Sequence, residues 1–367
     1  MIYLDNAATS PVCTEALDAV LSAASCAGNP SSLHAAGREV RALVEKGRDT
    51  LARSLGCPAD CVVFTSGGTE SINTALRGAA AAYGRRKKHI VTTALEHPAT
   101  RKTLIALHAD GFEVTEVEPD NDGRICPHAL AAAVREDTCL VTAVLVSSES
   151  GALLDAQTAA AEIKKKNGGT LFHLDAVQGF LKTPLLPVAW GVDFVSISSH
   201  KFHGPMGVGA LFISPSVRFT PLLTGGAQQK GRRAGTEPVP LIAGMAAAVE
   251  AWKPVPEELK EHALARLSRI EGCVILPPHD APHILSAAFP GAPGEVLVRM
   301  LSDEGIAVGS GSACSGGHRS HALTAMRLPA AVLDSVVRLS FSRCNTTDEI
   351  DLATDALSRA ARRITGR

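Results

Sequence analysis

The sequence predicts an α/β protein whose large domain holds a mostly parallel sheet between helices. Short apolar runs rich in β-branched residues alternate with helix-like segments from about residue 40 to 215. Aromatic residues make up only 4% of the chain, while Ala, Gly and Val are abundant, a composition that suits closely packed α/β layers. A chain of 367 residues, 46% of them hydrophobic, is long enough for about two domains.

The elements of the large domain follow each other in a regular order. Apolar residues at helical spacing predict a helix from Val40 that stops at Gly56, a residue suited to the left-handed position after a helix. A Gly-rich turn leads into a helix from about Thr69, and Pro98 fits the first turn of another helix. Strands are predicted at 61–64, 89–93, 112–117, 139–146, 170–174, 194–197 and 209–213.

The sequence changes character after residue 251. Residues 253–256 read Lys-Pro-Val-Pro, which is typical of a boundary, and a helix and shorter strands with Pro and Gly punctuation follow. We therefore expect a large domain over 12–252 and a smaller α+β domain over 253–367, with residues 1–11 packing against the latter.

Composition and charge exclude several classes of function. The net charge of −1 gives no electrostatic reason to expect nucleic acid or a membrane as partner. Nine cysteines at irregular spacing, with no CxxC pair, argue against a disulfide framework or a metal site. The strand-like start and the lack of an apolar run of transmembrane length lead us to expect a cytoplasmic protein without a signal peptide.

Active sites on parallel sheets gather at the carboxyl ends of strands, so polar residues that close a strand are the candidates. The first such segment is the turn that contains Gly67, Gly68 and Thr69. Glycines let the backbone approach an anion, and the helix that follows offers free N–H groups, so a phosphate site is one interpretation. An ordinary Gly-containing turn is the other.

Asp175 follows directly on a buried apolar strand. A buried carboxylate without a partner is costly, and a protonated pyridine nitrogen would be a suitable partner. Gln178 lies about one helical turn later and could reach a neighbouring ring oxygen. The alternative is that Asp175 is the N-cap of the next helix.

Lys201 closes another strand and is followed by a Gly-rich bend. Desolvation and a nearby cation would favour the uncharged amine that forms an imine. Ser198 and His200 supply hydrogen-bond donors suited to a phosphate, and His97 closes a third strand. Taken singly, each is more often an ordinary surface or core residue. Together with Gly68 and Asp175, they match the requirements of pyridoxal 5′-phosphate (PLP).

The chain resembles the cysteine desulfurases, which belong to the class V aminotransferase group of fold-type I PLP enzymes. Their motifs occur in register along nearly the whole sequence: YLDNAAT at 3–9, NPSS at 29–32, FTSGGTES at 64–71, EH at 96–97, HLDAVQ at 173–178, SHKFHGP at 199–205, RAGTE at 233–237 and SGSAC at 310–314. The resemblance implies a fold-type I transferase that removes sulfur from L-cysteine and releases L-alanine.

The resemblance also implies the role of each cofactor-binding residue. Lys201 would hold PLP as a Schiff base and move the substrate Cα proton, and His97 would stack on the pyridine ring. Asp175 would pair with the ring nitrogen, and Gln178 would bind the phenolic oxygen. The residues implied for the phosphate are Gly68, Thr69, Ser198 and His200, with Thr236 reaching the phosphate in the partner subunit of a homodimer.

Two further residues would act on the substrate. Arg338 would clamp the substrate carboxylate as a bidentate pair. Cys314 lies in a Gly/Ser run, and the resemblance implies that its thiolate attacks the substrate sulfur to give a persulfide. The persulfide would pass to an acceptor or scaffold protein, for iron–sulfur cluster assembly or for another use such as tRNA thiolation.

Three features depart from the family pattern. Ser148 stands where the family usually has an asparagine near the substrate, so this substrate-binding position loses an amide donor. Gln229 replaces a glutamate near the intersubunit segment, and the loop after Cys314 is a residue or two shorter than in the long-loop desulfurases. Selenocysteine lyase, or another class V reaction, is the alternative activity, and a non-catalytic phosphate- or nucleotide-binding protein is a remote one.

Overall fold

The computed structural model describes residues 1–311 and 319–366 and contains two β-sheets with helices packed on them. Its strands are β1 (Ile2–Leu4), β2 (Val62–Thr65), β3 (His89–Thr93), β4 (Glu113–Val117), β5 (Thr138–Val144), β6 (Leu171–Asp175), β7 (Phe194–Ser198), β8 (Gly209–Ile213), β9 (Val274–Ile275), β10 (Ile284–Ala288), β11 (Ile306–Ser310) and β12 (Val336–Ser340). The predicted α/β class is therefore confirmed.

The helices alternate with these strands through most of the chain. They are α1 (Thr14–Ala24), α2 (Ala35–Leu55), α3 (Gly68–Tyr83), α4 (Pro98–Ala109), α5 (Pro127–Ala132), α6 (Ala156–Lys166), α7 (Pro187–Trp190), α8 (Val239–Glu250), α9 (Glu257–Leu267), α10 (Gly294–Asp303), α11 (His321–Ala325), α12 (Ala330–Leu333) and α13 (Thr347–Thr365). Short 3₁₀ turns occur at Ala59–Cys61, Ser199–Lys201 and Gln228–Gly231.

The larger sheet has seven strands in the order β2-β8-β7-β6-β5-β3-β4. Strand β8 runs antiparallel to β2 and β7, and the other neighbouring pairs are parallel. Consequently β2, β3, β5, β6 and β7 all point the same way, and their carboxyl ends lie along one edge. The segments that close these strands are the ones that carry most of the predicted site residues.

The apolar strands of the larger sheet are buried on both faces. Leu211 packs in the cluster beneath α3, whereas Phe212, the next residue along β8, packs in the cluster on the opposite face. Both side chains are fully buried. This alternation, with helices covering each face, explains why the strands are apolar runs without the polar positions of a half-exposed sheet.

The boundaries of α2 show what the sequence predicted and what it missed. Gly56 follows the helix in the left-handed conformation, with φ 61°, as its position predicts. The helix begins at Ala35, five residues before the first residue of the apolar repeat, Val40, and the His34 side chain caps it by accepting a hydrogen bond from the Gly37 N–H. Histidine is not among the residues preferred at an N-cap, so its signal was not recognised.

The smaller sheet has the order β1-β11-β12-β10-β9, and β1 pairs with β11 in parallel. Its apolar side chains form a cluster of their own with α9, α10 and α13. Residues from both ends of the chain thus meet in this sheet. The proposed bounds of 12–252 for one domain and 253–367 with 1–11 for the other stay a prediction. In the described part of the chain, no helix combines the length and apolarity that crossing a membrane requires.

Two leucines of α13 allow the contribution of the smaller cluster to be measured. Leu357 is fully buried in it, whereas Leu352 is 58% exposed on the same helix. We expect Leu357→Ala to lower the free energy of unfolding by about 2–5 kcal/mol, because it removes apolar contacts and leaves a cavity. Leu352→Ala should change it by less than about 0.5 kcal/mol. Urea denaturation followed by circular dichroism measures both, and equal effects would contradict the assigned packing.

Candidate functional site

A cavity of about 560 Å³ lies at the carboxyl edge of the seven-stranded sheet. Residues of the smaller sheet, including Ser310 and Arg338, contribute to its wall. Ten of the predicted site residues line it: Gly68, Thr69, His97, Ser148, Asp175, Gln178, Ser198, His200, Lys201 and Arg338. Segments far apart in sequence therefore converge on one volume, large enough for a small cofactor together with a substrate.

The turn between β2 and α3 leads into the first turn of α3, whose backbone N–H groups have no carbonyl partner within the helix. Gly67 adopts φ 149°, which only glycine takes readily, and α3 begins at Gly68. A Cβ added at Gly68 would lie 2.8 Å from Val177 Cγ2, so this close packing excludes a side chain. With the side chain of Ser198 nearby and the positive end of the α3 dipole, the turn is suited to an anion.

An ion pair of a residue in the first turn of α3 fixes this loop. Glu70 accepts hydrogen bonds from Arg233 at 2.9 and 3.2 Å and from the Ser66 backbone N–H at 2.8 Å. The Arg233 guanidinium and the Ser66 N–H keep the pKa of Glu70 below its ordinary value, although burial acts in the opposite direction and is the largest single influence. The carboxylate therefore ties the turn to the segment before Thr236.

Asp175 ends β6 and is 3% exposed. Its Oδ1 accepts a hydrogen bond from the Val177 N–H at 3.0 Å, but α7 begins only at Pro187, so the alternative interpretation as a helix N-cap is wrong. Burial raises the pKa of Asp175, while His97 and Lys201 oppose that rise. A carboxylate in this position requires a cation at the cavity to stay ionised.

Lys201 lies in the 3₁₀ turn that directly follows β7, in agreement with its predicted position at the end of a strand. Its Nζ donates hydrogen bonds to the carbonyl oxygens of Ala7 and Ala8, both at 2.7 Å. Gln178 Nε2 also donates to the Ala7 carbonyl at 2.7 Å, while Gln178 Oε1 is buried without a hydrogen-bond partner. The Lys201 amine and the unsatisfied Oε1 of Gln178 thus both belong to side chains that line the cavity and contact Ala7.

His97 caps α4 and opens onto the cavity. Its Nδ1 accepts a hydrogen bond from the Ala99 N–H at 3.1 Å, which orients the ring. The surrounding protein lowers the pKa of His97, and so does Lys201, while Asp175 raises it. A neutral, oriented imidazole at the cavity wall can stack on an aromatic ring.

Arg338 projects from β12 and is 8% exposed. Its Nη1 donates to the Ser148 carbonyl oxygen at 2.7 Å, and its Nη2 donates to Asp5 Oδ1 at 2.8 Å. Ser148 therefore contacts Arg338 through the main chain. The loss of an amide at this position leaves that contact intact.

Glu96 also borders the cavity, although only its neighbour His97 in the EH motif was predicted to act there. It is 3% exposed, and its Oε1 accepts hydrogen bonds from Thr93 Oγ1 at 2.7 Å and the Val144 N–H at 2.8 Å. Burial raises the pKa of Glu96 to about 8, and the charge of Asp175 adds to the rise. The available signal was a glutamate in the short segment that closes β3, directly before His97.

Two residues singled out in the sequence, Thr236 and Gln229, do not line the cavity. Thr236 is exposed. Cys314 lies outside the described residues. Gln229 accepts a hydrogen bond from the Phe64 N–H at 2.6 Å and donates one to the Phe64 carbonyl at 2.8 Å, so its amide satisfies both polar groups of a β2 residue. A glutamate at this position would lack the donor.

The family model for aminotransferase class V matches residues 2–352 of the chain. Over 378 aligned residues, the chain is 37% identical to the putative cysteine desulfurase IscS 1 of Bacillus subtilis (strain 168), with 99% of each chain covered. It is also 37% identical to the cysteine desulfurase IscS of Methanosarcina thermophila, over 95% of this chain and 89% of that protein.

Solved structures give the same similarity in three dimensions. A NifS-like protein superposes with a TM-score of 0.91 at 34% identity, with 98% of both chains covered. A structure of SspA in complex with cysteine superposes with a TM-score of 0.84 at 28% identity, over 94% of this chain and all of that one. The predicted fold-type I architecture is confirmed by these likenesses.

The raised pKa of Glu96 predicts a pH-dependent stability. Between the ordinary value of 4.5 and about 8, the carboxyl stays protonated in the fold but ionises in the unfolded chain. The parent's free energy of unfolding should therefore fall, relative to Glu96→Gln, by up to about 1.4 kcal/mol per pH unit across this range. Urea denaturation at intervals from about pH 5 to pH 8 measures it.

The exposed glutamate Glu258 supplies a control for this experiment. Glu258→Gln should follow the pH dependence of the parent. Parallel curves for the parent and Glu96→Gln would show that Glu96 is ionised in the folded protein.

Proposed function

The chain belongs to the class V aminotransferase family and is a cysteine desulfurase, and we propose that it works with PLP on Lys201 and a persulfide on Cys314. Members of this family generally depend on PLP. The observation that carries the proposal is the convergence on one cavity of the Gly68 turn, the buried Asp175 and Lys201.

The residues of the cavity fit a phosphorylated pyridine. The N–H groups at Gly68 and Thr69, together with Ser198 and His200, would hold the phosphate. Asp175 would meet the ring nitrogen, which supplies the cation that a buried carboxylate requires.

The same fit extends to the face and edge of the ring. His97, whose imidazole is oriented at the cavity wall, would lie against the ring face. Gln178, with its buried and unsatisfied Oε1, would contact the ring edge once its amide reorients.

When bound, PLP supplies an electron sink that stabilises negative charge at the substrate Cα. The protein provides the other functions. Arg338 orients L-cysteine through the substrate carboxylate, as a guanidinium can do with two parallel hydrogen bonds. Lys201 takes the proton from the substrate Cα, and His97 is placed to assist as acid or base.

Cys314 accepts the sulfur in this proposal. Its thiolate attacks the sulfur of L-cysteine, so the Cβ–S bond breaks as an S–S bond forms, and a proton replaces sulfur on the carbon. L-Cysteine and the Cys314 thiol thus become L-alanine and the Cys314 persulfide, with atoms and electrons balanced. A thiol acceptor or scaffold protein then takes the outer sulfur.

The assembly proposed for this reaction is a homodimer. Thr236 is exposed and does not line the cavity of its own chain, as expected of a residue that reaches the phosphate bound by a partner subunit. The cysteines of the described residues are all free, which suits a reducing compartment such as the cytoplasm.

Borohydride reduction tests the cofactor assignment. After incubation with PLP and reduction, we expect the phosphopyridoxyl group on the peptide that contains Lys201, detected by mass spectrometry, and none at that site in Lys201→Ala. Lys182 is the informative competitor, since burial and the charge of Lys201 lower its pKa to about 7. Modification of Lys182 in the parent protein would contradict the assignment.

Turnover of L-cysteine tests the role of Cys314. With PLP and a reductant, the parent should release sulfide and L-alanine, and Cys314→Ser should release sulfide at less than about 1% of the parent rate, because it lacks the nucleophile. Cys344→Ser, which removes an exposed thiol elsewhere, should match the parent.

The Cys314 variant must also keep its cofactor for this result to be informative. Cys314→Ser should still be modified at Lys201 by borohydride. Full sulfide turnover by Cys314→Ser would rule out the persulfide step, and a parent protein without sulfide release would rule out the activity.

A further inference from the structure

The guanidinium of Arg338 is fixed by the chain itself on two sides. Asp5 Oδ1 accepts from Nη2 at 2.8 Å, and the Ser148 carbonyl accepts from Nη1 at 2.7 Å. The third nitrogen, Nε, is buried without a hydrogen-bond partner. Of the five N–H groups of an arginine, two are thus engaged, and the remaining three leave enough donors for a bidentate contact.

Arg338 lines the cavity, and Asp5 does not, although the two form an ion pair in which both side chains are mostly shielded from solvent. Asp5 follows β1 and pairs through its backbone with Ser340 of β12, so its main chain is anchored to the smaller sheet. A ligand entering the cavity would meet Arg338 without displacing Asp5.

Gly309 of β11 lies directly against the ion pair. It pairs with Arg338 across the antiparallel β11–β12 ladder. A Cβ added there would come within 2.8 Å of both Arg338 Nη2 and Asp5 Oδ1, and within 3.0 Å of Arg338 Nε. The absence of a side chain at residue 309 therefore permits the contact between Asp5 and Arg338.

We propose that Asp5 is a positioning residue that holds Arg338 in the orientation required to bind the α-carboxylate of the amino-acid substrate. This inference rests on the proposed function of the cavity. A free arginine loses much rotamer freedom when it binds a carboxylate, and an arginine already fixed by two acceptors loses less. Asp5 thereby improves substrate binding although it does not touch the substrate.

The competing explanation is that Asp5 only ties β1 to β12. The two explanations differ in which quantity changes. If Asp5 only links β1 to β12, its replacement would alter the midpoint of thermal unfolding and leave the kinetics of the folded protein unchanged. A positioning residue alters binding of carboxylate-bearing ligands to the folded protein, and it acts equally on ground state and transition state, so KM changes while kcat does not.

Kinetics of the PLP-loaded protein with L-cysteine separate these explanations. We expect Asp5→Ala to raise KM about tenfold with kcat within about twofold of the parent. Asp5→Asn keeps an acceptor for Nη2 and should restore most of the affinity. Glu304→Ala removes the partner of Arg359 in an exposed ion pair and should behave as the parent.

Ligand binding gives a readout that does not depend on turnover. By calorimetry, Asp5→Ala should bind L-alanine about tenfold more weakly than the parent, while cysteamine, which has no carboxylate, should bind both equally. Gly309→Ala approaches the ion pair from the opposite strand and should reproduce the loss for L-alanine. This second variant tests the inference even where Asp5→Ala does not fold.

The outcomes distinguish this inference from the proposed function. Unchanged KM and unchanged L-alanine affinity in Asp5→Ala, with only a lower unfolding temperature, would overturn the positioning role while the desulfurase activity stands. Equal weakening of L-alanine and cysteamine would also overturn it. A parent whose affinity for L-alanine depends on Asp5, but that releases no sulfide, would support the inference and refute the activity.

Discussion

The common direction of β2, β3, β5, β6 and β7 is the constraint on which the rest of the structure depends. Strand β8 lies between β2 and β7 and is antiparallel to both, so β2 runs in the same direction as β7. The carboxyl ends of all five strands therefore lie along one edge. The backbone groups inside the sheet are paired with each other, so unpaired N–H groups and polar side chains collect where strands end. The Gly68 turn, His97, Asp175 and Lys201 occupy that edge because the topology leaves it as the polar boundary of an apolar layer.

Electrostatics at this edge follows from the burial of two neighbouring carboxyl groups. Glu96 and Asp175 are both about 3% exposed, and the charge of Asp175 raises the pKa of Glu96 further. Since two neighbouring buried carboxylates repel, the lower energy lies with one ionised and one protonated. Asp175, with His97 and Lys201 acting to lower its pKa, is the one that carries charge when a cation is bound. Glu96 then stays neutral and keeps its hydrogen bonds with Thr93 and Val144 at the side of the cavity.

How much could be predicted from the sequence depended on the range of each interaction. Strand ends such as Asp175 and Lys201 were recognisable, because a polar residue that follows an apolar run is a local signal. The start of α2 was missed, since it depends on a hydrogen bond accepted by His34. The contact of Asp5 with Arg338 joins residues 333 positions apart and follows from the pairing of β1 with the smaller sheet. Local patterns cannot reveal such a contact, although both residues stood in recognised segments.

Departures from the family pattern are informative where the structure shows which atoms make the contact. Ser148 contacts Arg338 through its carbonyl oxygen, and a main-chain acceptor is supplied by any residue at that position. Gln229 acts through its side chain, and its amide donates to and accepts from the same residue of β2, which a carboxylate cannot do. Ser148 therefore leaves the contact with the Arg338 guanidinium unchanged. It alters only the contacts that an asparagine side chain would have made. Gln229 gives Phe64 of the edge strand β2 a hydrogen-bonded partner within its own chain, which reduces the tendency of that strand to pair elsewhere.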